Sequence, residues 1–268
     1  MASWDRPWSN AQGVGRLPRQ DTSCVGSVKS CAVRKPEPEC ESGGWQPRSP
    51  GAEAGTTRAA VACLPVRYVS DNTGLPNPFN SAVSLSSERL ILRPWREADR
   101  AEFARLNDDP AVMKFMPKRL TRDESDAMAL RIEQHIERLG WGLWAVEVKG
   151  GAPFIGYVGL SAPRFHAHFL PAIEVGWRLA REHWGRGYAT EAAQASLRHA
   201  FEELDLQELV SFTVPLNKRS IAVMERIGMR RDRHGDFEHP NIAVGHPLRA
   251  HVLYRIGRAE WRRRQTLA

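Results

Sequence analysis

Between residues 173 and 204 the sequence admits few folds, because an alternating strand runs through a loop with two glycines straight into an amphipathic helix. In 173–179, Ile173, Val175, Trp177 and Leu179 share one face and Glu174, Gly176 and Arg178 the other, the period of two that a strand imposes. In 189–204, Ala189, Ala193, Leu197, Ala200 and Leu204 form the buried stripe of a helix. The run between them is Arg181-Glu182-His183-Trp184-Gly185-Arg186-Gly187-Tyr188-Ala189-Thr190-Glu191-Ala192. Its glycines let successive backbone N–H groups converge, and the helix N-terminus adds its positive dipole end. Such a loop can hold a phosphate. It can equally be a tight turn whose glycines serve only geometry.

The flanking segments give the rest of the fold. Leu90-Ile91-Leu92-Arg93-Pro94-Trp95 reads as a strand closed by proline, and 96–106 as a helix ended by Asn107-Asp108-Asp109-Pro110. Thr121 and Glu124 have capping-box spacing ahead of a helix with Met128, Ile132, Ile136 and Leu139 on one face and Gly140 at its end. Runs 141–149 and 154–162 meet at Gly150-Gly151, which predicts an antiparallel hairpin. Downstream, 209–214 reads as a strand, 218–226 as a helix closed by Gly228, and 251–256 as a last strand. The class is α+β around a central mixed sheet. Gly176 inside its strand predicts a bulge, and Pro215 lacks the donor that would extend 209–214.

Two nucleotide-binding signatures fail on this loop. G-x-x-x-x-G-K-[ST] is absent, and G-x-G-x-x-G breaks at its third glycine, where Thr190 stands. Both also belong to parallel sheets, against the antiparallel hairpin upstream. The residues instead resemble the GNAT acetyltransferases, in the branch related to enzymes that acetylate ribosomal-protein N-termini. That family's acetyl-CoA pattern, Gln/Arg-x-x-Gly-x-Gly/Ala, falls on Trp184, Gly185, Arg186, Gly187, Tyr188 and Ala189, with Trp184 in place of the usual Gln or Arg. Asn217-Lys218-Arg219-Ser220 followed by Glu225-Arg226-Ile227-Gly228-Met229 resembles its N-x-x-S and E-x-x-G-F/M segment. The likeness extends over residues 87–260.

The resemblance implies a GNAT-like, mostly antiparallel sheet flanked by helices, in which the strands at 173–179 and 209–214 splay into a V that binds acetyl-CoA. It implies that backbone groups of Trp177 and Leu179 meet pantetheine and that the amides from Gly185 to Thr190 meet pyrophosphate, with Trp184 at the head of the same cofactor-binding loop. Asn217 is then expected beside pantetheine and Ser220 near the thioester sulfur, as a donor to the leaving thiolate. Glu174 is the candidate for proton removal, directly or through water. Plainer readings stand beside these: Asn217 with a polar residue three places on simply starts a helix, and a Glu on a strand face is commonly solvated or ion-paired. The implied reaction moves acetyl from acetyl-CoA, as co-substrate, to a primary amine of a small molecule or a protein N-terminus. A catalytically silent acetyl-CoA-binding protein of the same fold is the alternative, and a basic nucleic-acid module the third reading. Acceptor-side loops at 108–121 and 162–171 show no readable pattern, and nothing speaks to oligomeric state.

Composition sets the boundaries. In residues 1–82, Pro, Gly and Ser interleave with isolated apolar residues, as in Lys35-Pro36-Glu37-Pro38-Glu39, without helical or strand period, so this stretch reads as a disordered leader. A translational start near Val83 is the other reading. The GNAT domain is expected over 83–262, and 263–268, with Arg262 just before, as a solvated basic tail. All four cysteines, Cys24, Cys31, Cys40 and Cys63, precede the domain and match no metal or redox spacing, which fits a cytoplasmic protein. Neither a signal peptide nor a long apolar span is present, so no membrane partner is expected. The net charge of +7 suits a polyanion but serves solubility equally, and nucleic acid is not the expected partner. His166 and His168, and Asp236, Glu238 and His239, are metal-ligand types without a completing spacing, so no metal is expected.

Overall fold

The computed structural model describes residues 83–266. The leader assigned to 1–82 and the last two residues of the predicted tail lie outside the described residues. In chain order the elements are β1 (Leu85–Ser86), β2 (Leu90–Arg93), α1 (Asp99–Asp108), α2 (Arg122–Leu139), β3 (Leu143–Val148), β4 (Gly156–Ser161) and β5 (Glu174–Leu179). They continue with α3 (Tyr188–Glu202), β6 (Glu208–Thr213), α4 (Lys218–Arg226), β7 (Arg230–Glu238), β8 (Ala250–Gly257) and α5 (Arg258–Thr266). The strands form one 8-stranded sheet in the order β1-β2-β3-β4-β5-β6-β8-β7. Every pairing is antiparallel except β5 with β6.

Local chemistry accounts for the element ends. At α2, Thr121 Oγ1 accepts from Glu124 N–H and Glu124 Oε2 accepts from Thr121 N–H, a completed capping box, and Gly140 stops the helix at a φ of 78°. Helix α1 starts at Asp99 rather than at Arg96, because the Asp99 carboxylate accepts from the Arg96 N–H at 2.7 Å and pairs with the Arg93 guanidinium at 2.8 Å.

Register shows which face each layer covers. Val175, Trp177 and Leu179 of β5 join Leu90, Trp144 and Val158 in a core under α3 and α4, with Leu197 and Met224 among its buried members. On the opposite face, Phe103 of α1 and Met128, Ile132 and Ile136 of α2 pack on Leu143, Ala145 and Tyr157. Directly paired residues share a face, and Tyr157↔Arg178, Glu174↔Val210 and Phe212↔Leu253 carry that second face across β5 to a further apolar cluster of Phe169, Val210, Phe212 and Leu253. Strand β5 is therefore covered on both sides, and all of its residues are buried.

Three expectations are corrected. No bulge occurs at Gly176: the β4–β5 register runs unbroken from Gly156↔Leu179 to Ser161↔Glu174, with Gly176 opposite Gly159. Strand β7 was not foreseen, because it is an edge strand whose mostly exposed side chains carry no alternation. Arg263 and Arg264, read as a separate tail, instead continue helix α5, which the buried Trp261 and the Arg230–Glu260 ion pair at 2.7 Å anchor to the domain.

Candidate active site

The two central parallel strands separate almost at once. β5 and β6 share the single pairing Glu174↔Val210, beside a Val210 N–H bond to the Ile173 carbonyl at 2.9 Å. At the other edge of β5, Ala180 N–H donates to the Ile155 carbonyl at 2.9 Å, which makes 155 and 180 a hydrogen-bonded antiparallel pair. Such pairs alternate, so Arg178, Gly176 and Glu174 turn their backbone groups to β4. Val175, Trp177 and Leu179 consequently turn theirs into the V that opens between β5 and β6. Among the described residues, β6 has left by that point. Trp177 thus presents strand backbone to the V, as does the Leu179 N–H, whereas the Leu179 carbonyl already accepts from the Trp184 indole N–H at 2.8 Å.

That indole bond locks the strand end to the loop that follows. The Arg219 guanidinium of α4 lies 4.5 Å from the Trp184 ring centroid and covers its other side. The Trp184 N–H itself donates to the Arg181 carbonyl at 3.1 Å, so Trp184 offers the loop its side chain and not a free amide, a role that the sequence pattern did not show. Gly185 and Gly187 have φ values of 76° and 82°, in the left-handed region that favours glycine. A Cβ at Gly185 would meet nothing within 4 Å, and one at Gly187 only Arg89 Nη2 at 3.4 Å, so backbone conformation and not lack of room requires glycine here. Helix α3 has no side-chain N-cap, and its first internal bond is Glu191 N–H to the Gly187 carbonyl at 3.0 Å. Among the described residues, nothing accepts from the N–H groups of Gly185, Arg186, Gly187, Tyr188, Ala189 and Thr190. This donor set, next to a helix N-terminus, fits a pyrophosphate.

Asn217 and Ser220 sit at the far side of the V, where β6 ends and α4 begins. Asn217 Oδ1 accepts from the Ser220 N–H at 3.3 Å, and its Nδ2 donates to Ser220 Oγ at 3.0 Å and to Thr213 Oγ1 at 3.1 Å. The plain capping role is therefore real. It does not consume Ser220, whose hydroxyl accepts from Asn217 and keeps its own proton to give.

Glu174 stands where β5 and β6 last touch, on the face that α1 and α2 cover farther along the sheet. It is 2% exposed, and Ser161 Oγ donates to its Oε2 at 3.3 Å. The Tyr157 phenol nearby is pushed above its ordinary pKa mainly by burial, with Arg178 opposing and Glu174 adding to the rise. Arg178, two strand repeats farther along the same face, donates to Asn107 Oδ1 at 2.6 Å and to Met116 Sδ at 3.2 Å. It ties the α1–α2 connection to β5. Nothing in the local sequence signalled this link.

Beyond the V, His239 and His251 have ring centroids 5.1 Å apart, in contact with Phe237 and Phe212. His251 Nδ1 donates to the Arg249 carbonyl at 3.0 Å, and burial pulls its pKa to about 3, so the ring is neutral. Among the described residues, no group of three His, Cys, Asp or Glu side chains could hold a metal, and no helix is long and apolar enough to cross a membrane.

Comparison with known proteins bears on this geometry directly. A family model for the acetyltransferase (GNAT) domain matches residues 89–230. FsC-acetyl coenzyme A-N(2)-transacetylase of Aspergillus fumigatus is 31% identical over 193 residues, covering 68% of this chain and 79% of the relative. The crystal structure of an acetyltransferase from Agrobacterium tumefaciens is 31% identical, with a TM-score of 0.53, and the match covers 68% of this chain and 99% of that one. Ribosomal-protein-S5-alanine acetyltransferase from Vibrio fischeri, at 21% identity and a TM-score of 0.53 over 67% of this chain and 98% of its own, shares the fold. A V between two central parallel strands and a helix-capping loop with unspent amides are thus found in a chain whose sequence and fold agree with one family: it belongs to the GNAT acetyltransferases, which are acetyl-CoA-dependent N-acetyltransferases.

Proposed function

We propose that this protein transfers acetyl from acetyl-CoA directly to a primary amine, either a protein N-terminus or a small-molecule amine. The observation that carries the reading is the arrangement around one V: backbone of Trp177 along its edge, unspent amides of residues 185–190 at one end, and Glu174 where the strands meet. Charge-assisted hydrogen bonds are worth about 1.5–3 kcal/mol each, so a few of these amides suffice to anchor a pyrophosphate without a lysine. Asn217 lines the opposite side, toward pantetheine. The N(2)-transacetylase named among the relatives supports a nitrogen acceptor.

Acetyl-CoA supplies an activated acetyl carbon. Glu174, directly or through water, takes the proton that the attacking amine must lose as its nitrogen bonds to that carbon. Ser220 donates a hydrogen bond to the sulfur as the carbon–sulfur bond breaks and CoA leaves as the thiolate, while the proton taken by Glu174 passes on to solvent. No covalent bond to the enzyme is needed. The acceptor's own ionisation favours an α-amine: with a pKa of ~8 it is about a tenth neutral at pH 7, whereas a lysine at ~10.4 is neutral about once in 2,500. A single carboxylate is base enough for the first.

Acceptor choice is tested by offering peptides that carry both a free N-terminus and a lysine, together with small primary amines and aminoglycosides, and mapping the acetylated nitrogen by mass spectrometry. Acetylation at α-amines ahead of ε-amines is expected. Exclusive lysine acetylation would overturn the assignment of the acceptor.

A further inference from the structure

The most heavily bonded carboxylate beside the phosphate loop is that of Glu191, in the first turn of α3, and its partners come from a distant part of the chain. Ser87 Oγ donates to its Oε1 at 2.7 Å and the Arg89 backbone N–H to the same oxygen at 2.8 Å. The Arg89 side chain reaches Oε2 through Nε at 2.7 Å and Nη2 at 2.6 Å. With Nη1 the same guanidinium donates to the Arg186 carbonyl at 3.1 Å, inside the loop, and it lies 4.9 Å from the Tyr188 ring centroid. One arginine from the β1–β2 turn thus grips both the loop and the first turn of the helix behind it.

The grip matters because of where Glu191 stands. A helix N-terminus attracts anions, and a carboxylate in the first turn competes for the same N–H groups that a phosphate would use. This protein shows that competition elsewhere: in α2, Glu124 turns back and takes the Thr121 N–H. Glu191 is placed to do the same one residue farther along α3, but its two oxygens are drawn to Ser87 and Arg89. Burial opposes its ionisation, and these donors overcome that and hold it below the usual carboxylate range, so it stays an anion and needs a counter-charge.

We propose that Arg89 is a positioning residue for cofactor binding: it holds the Glu191 carboxylate away from the amides of residues 185–190, cancels its charge, and pins the loop at Arg186, so that this helix end is left to the pyrophosphate. The proposal rests on the assignment of that loop to pyrophosphate. Arg89 itself acts through Glu191 and the loop backbone.

A double-mutant cycle with two ligands tests it. Affinities for CoA and for pantetheine, which lacks the pyrophosphate, are measured by calorimetry on wild type, Arg89→Met, Glu191→Gln and the double variant, with melting temperatures alongside. Arg89→Met is expected to weaken CoA about tenfold or more while pantetheine changes less than about twofold. Adding Glu191→Gln is expected to return CoA affinity to within about threefold of wild type, since the competing charge is then gone. Equal losses for both ligands, unchanged CoA affinity in Arg89→Met, or no recovery in the double variant would each overturn the proposal. Should Arg89→Met not fold, Arg89→Lys keeps the charge without the fork and is expected to weaken CoA alone by about threefold; an unchanged CoA affinity there counts against the proposal equally. A wild-type protein that bound pantetheine but gained nothing from the pyrophosphate would sink the loop assignment itself, and Arg89's role with it.

Discussion

Replacing Gly187 by valine probes the loop proposed to bind pyrophosphate, at one of the two glycines that hold left-handed backbone there. Its φ of 82° lies where an L-residue costs about 1–2 kcal/mol, and a β-branched side chain sits at the high end of that range. Space adds little to the penalty, because the new Cβ would meet only the end of the flexible Arg89 side chain, at 3.4 Å. The substitution therefore has two outcomes, both measurable. If the loop keeps its shape, the strain appears as lost stability, and a domain of this size loses about 2–4 °C of melting temperature per kcal/mol. If φ relaxes to negative values, the amides that follow turn away, and losing one charge-assisted hydrogen bond of about 1.5–3 kcal/mol weakens acetyl-CoA at least about tenfold. We expect the second outcome to dominate in Gly187→Val, read by calorimetric titration with acetyl-CoA on protein shown to be folded by its melting curve. Trp184→Gln is expected to cost less than Gly187→Val, because it loosens the loop by removing the indole bond to Leu179 but leaves the glycine dihedrals that aim the amides. A folded Gly187→Val protein that binds acetyl-CoA like wild type would refute the reasoning.

Further outcomes follow from the same geometry. Glu174→Gln keeps shape while removing basicity, so kcat should fall by ~10² or more with acetyl-CoA affinity nearly unchanged, and an unaltered rate would return Glu174 to a structural carboxylate. Ser220→Ala should lower kcat at little cost in stability, because the cap acceptor of α4 is Asn217 Oδ1; Asn217→Ala, by contrast, should lose about 1 kcal/mol, both read by denaturant melts with steady-state kinetics. Burial pulls the pKa of His135 to about 4 and that of His251 to about 3, below the ordinary 6.5, so the unfolded chain binds more protons across that window. Stability should be full above pH 6.5 and fall as the pH drops toward 4; His135→Asn should flatten that fall, and a urea midpoint constant from pH 7 to 4.5 would contradict the sign. A chain shortened to begin at Ala82 keeps Val83, whose carbonyl accepts from the Trp144 indole N–H at 2.8 Å, and should match the full protein in melting temperature and cofactor affinity; unfolding of the shorter chain would move the domain boundary upstream.

What could be read in the sequence, and what could not, divides along the range of the interactions. The β5–loop–α3 unit was legible because a period of two, a pair of glycines and a helical stripe follow one another within a single stretch, and each has only a local cause. The α2 capping box was legible for the same reason, since Thr121 and Glu124 are three residues apart. Gly176 misled, because whether a strand glycine bulges depends on its cross-strand partner, and Gly159 takes it in regular register. The splay between β5 and β6 comes instead from β6 turning away after Glu174↔Val210, which no local pattern encodes. Asn217 was readable both as a cap and as a site residue, and its hydrogen bonds allow both roles. The link from Arg178 to Asn107 and the clasp from Arg89 to Glu191 join residues 71 and 102 positions apart, and they appear only once the sheet has brought them together.

The central claim, direct transfer of acetyl from acetyl-CoA to an amine within this V, is tested most directly by single-turnover mass spectrometry. Protein, acetyl-CoA and a panel of primary amines are mixed, quenched over time, and assayed together for CoA, acetylated amine and the mass of the protein. The account predicts that CoA appears in step with one N-acetylated amine while the protein mass never changes. Acetyl-CoA that binds but is not consumed with any amine, or an acetylated protein that forms before product, would contradict it.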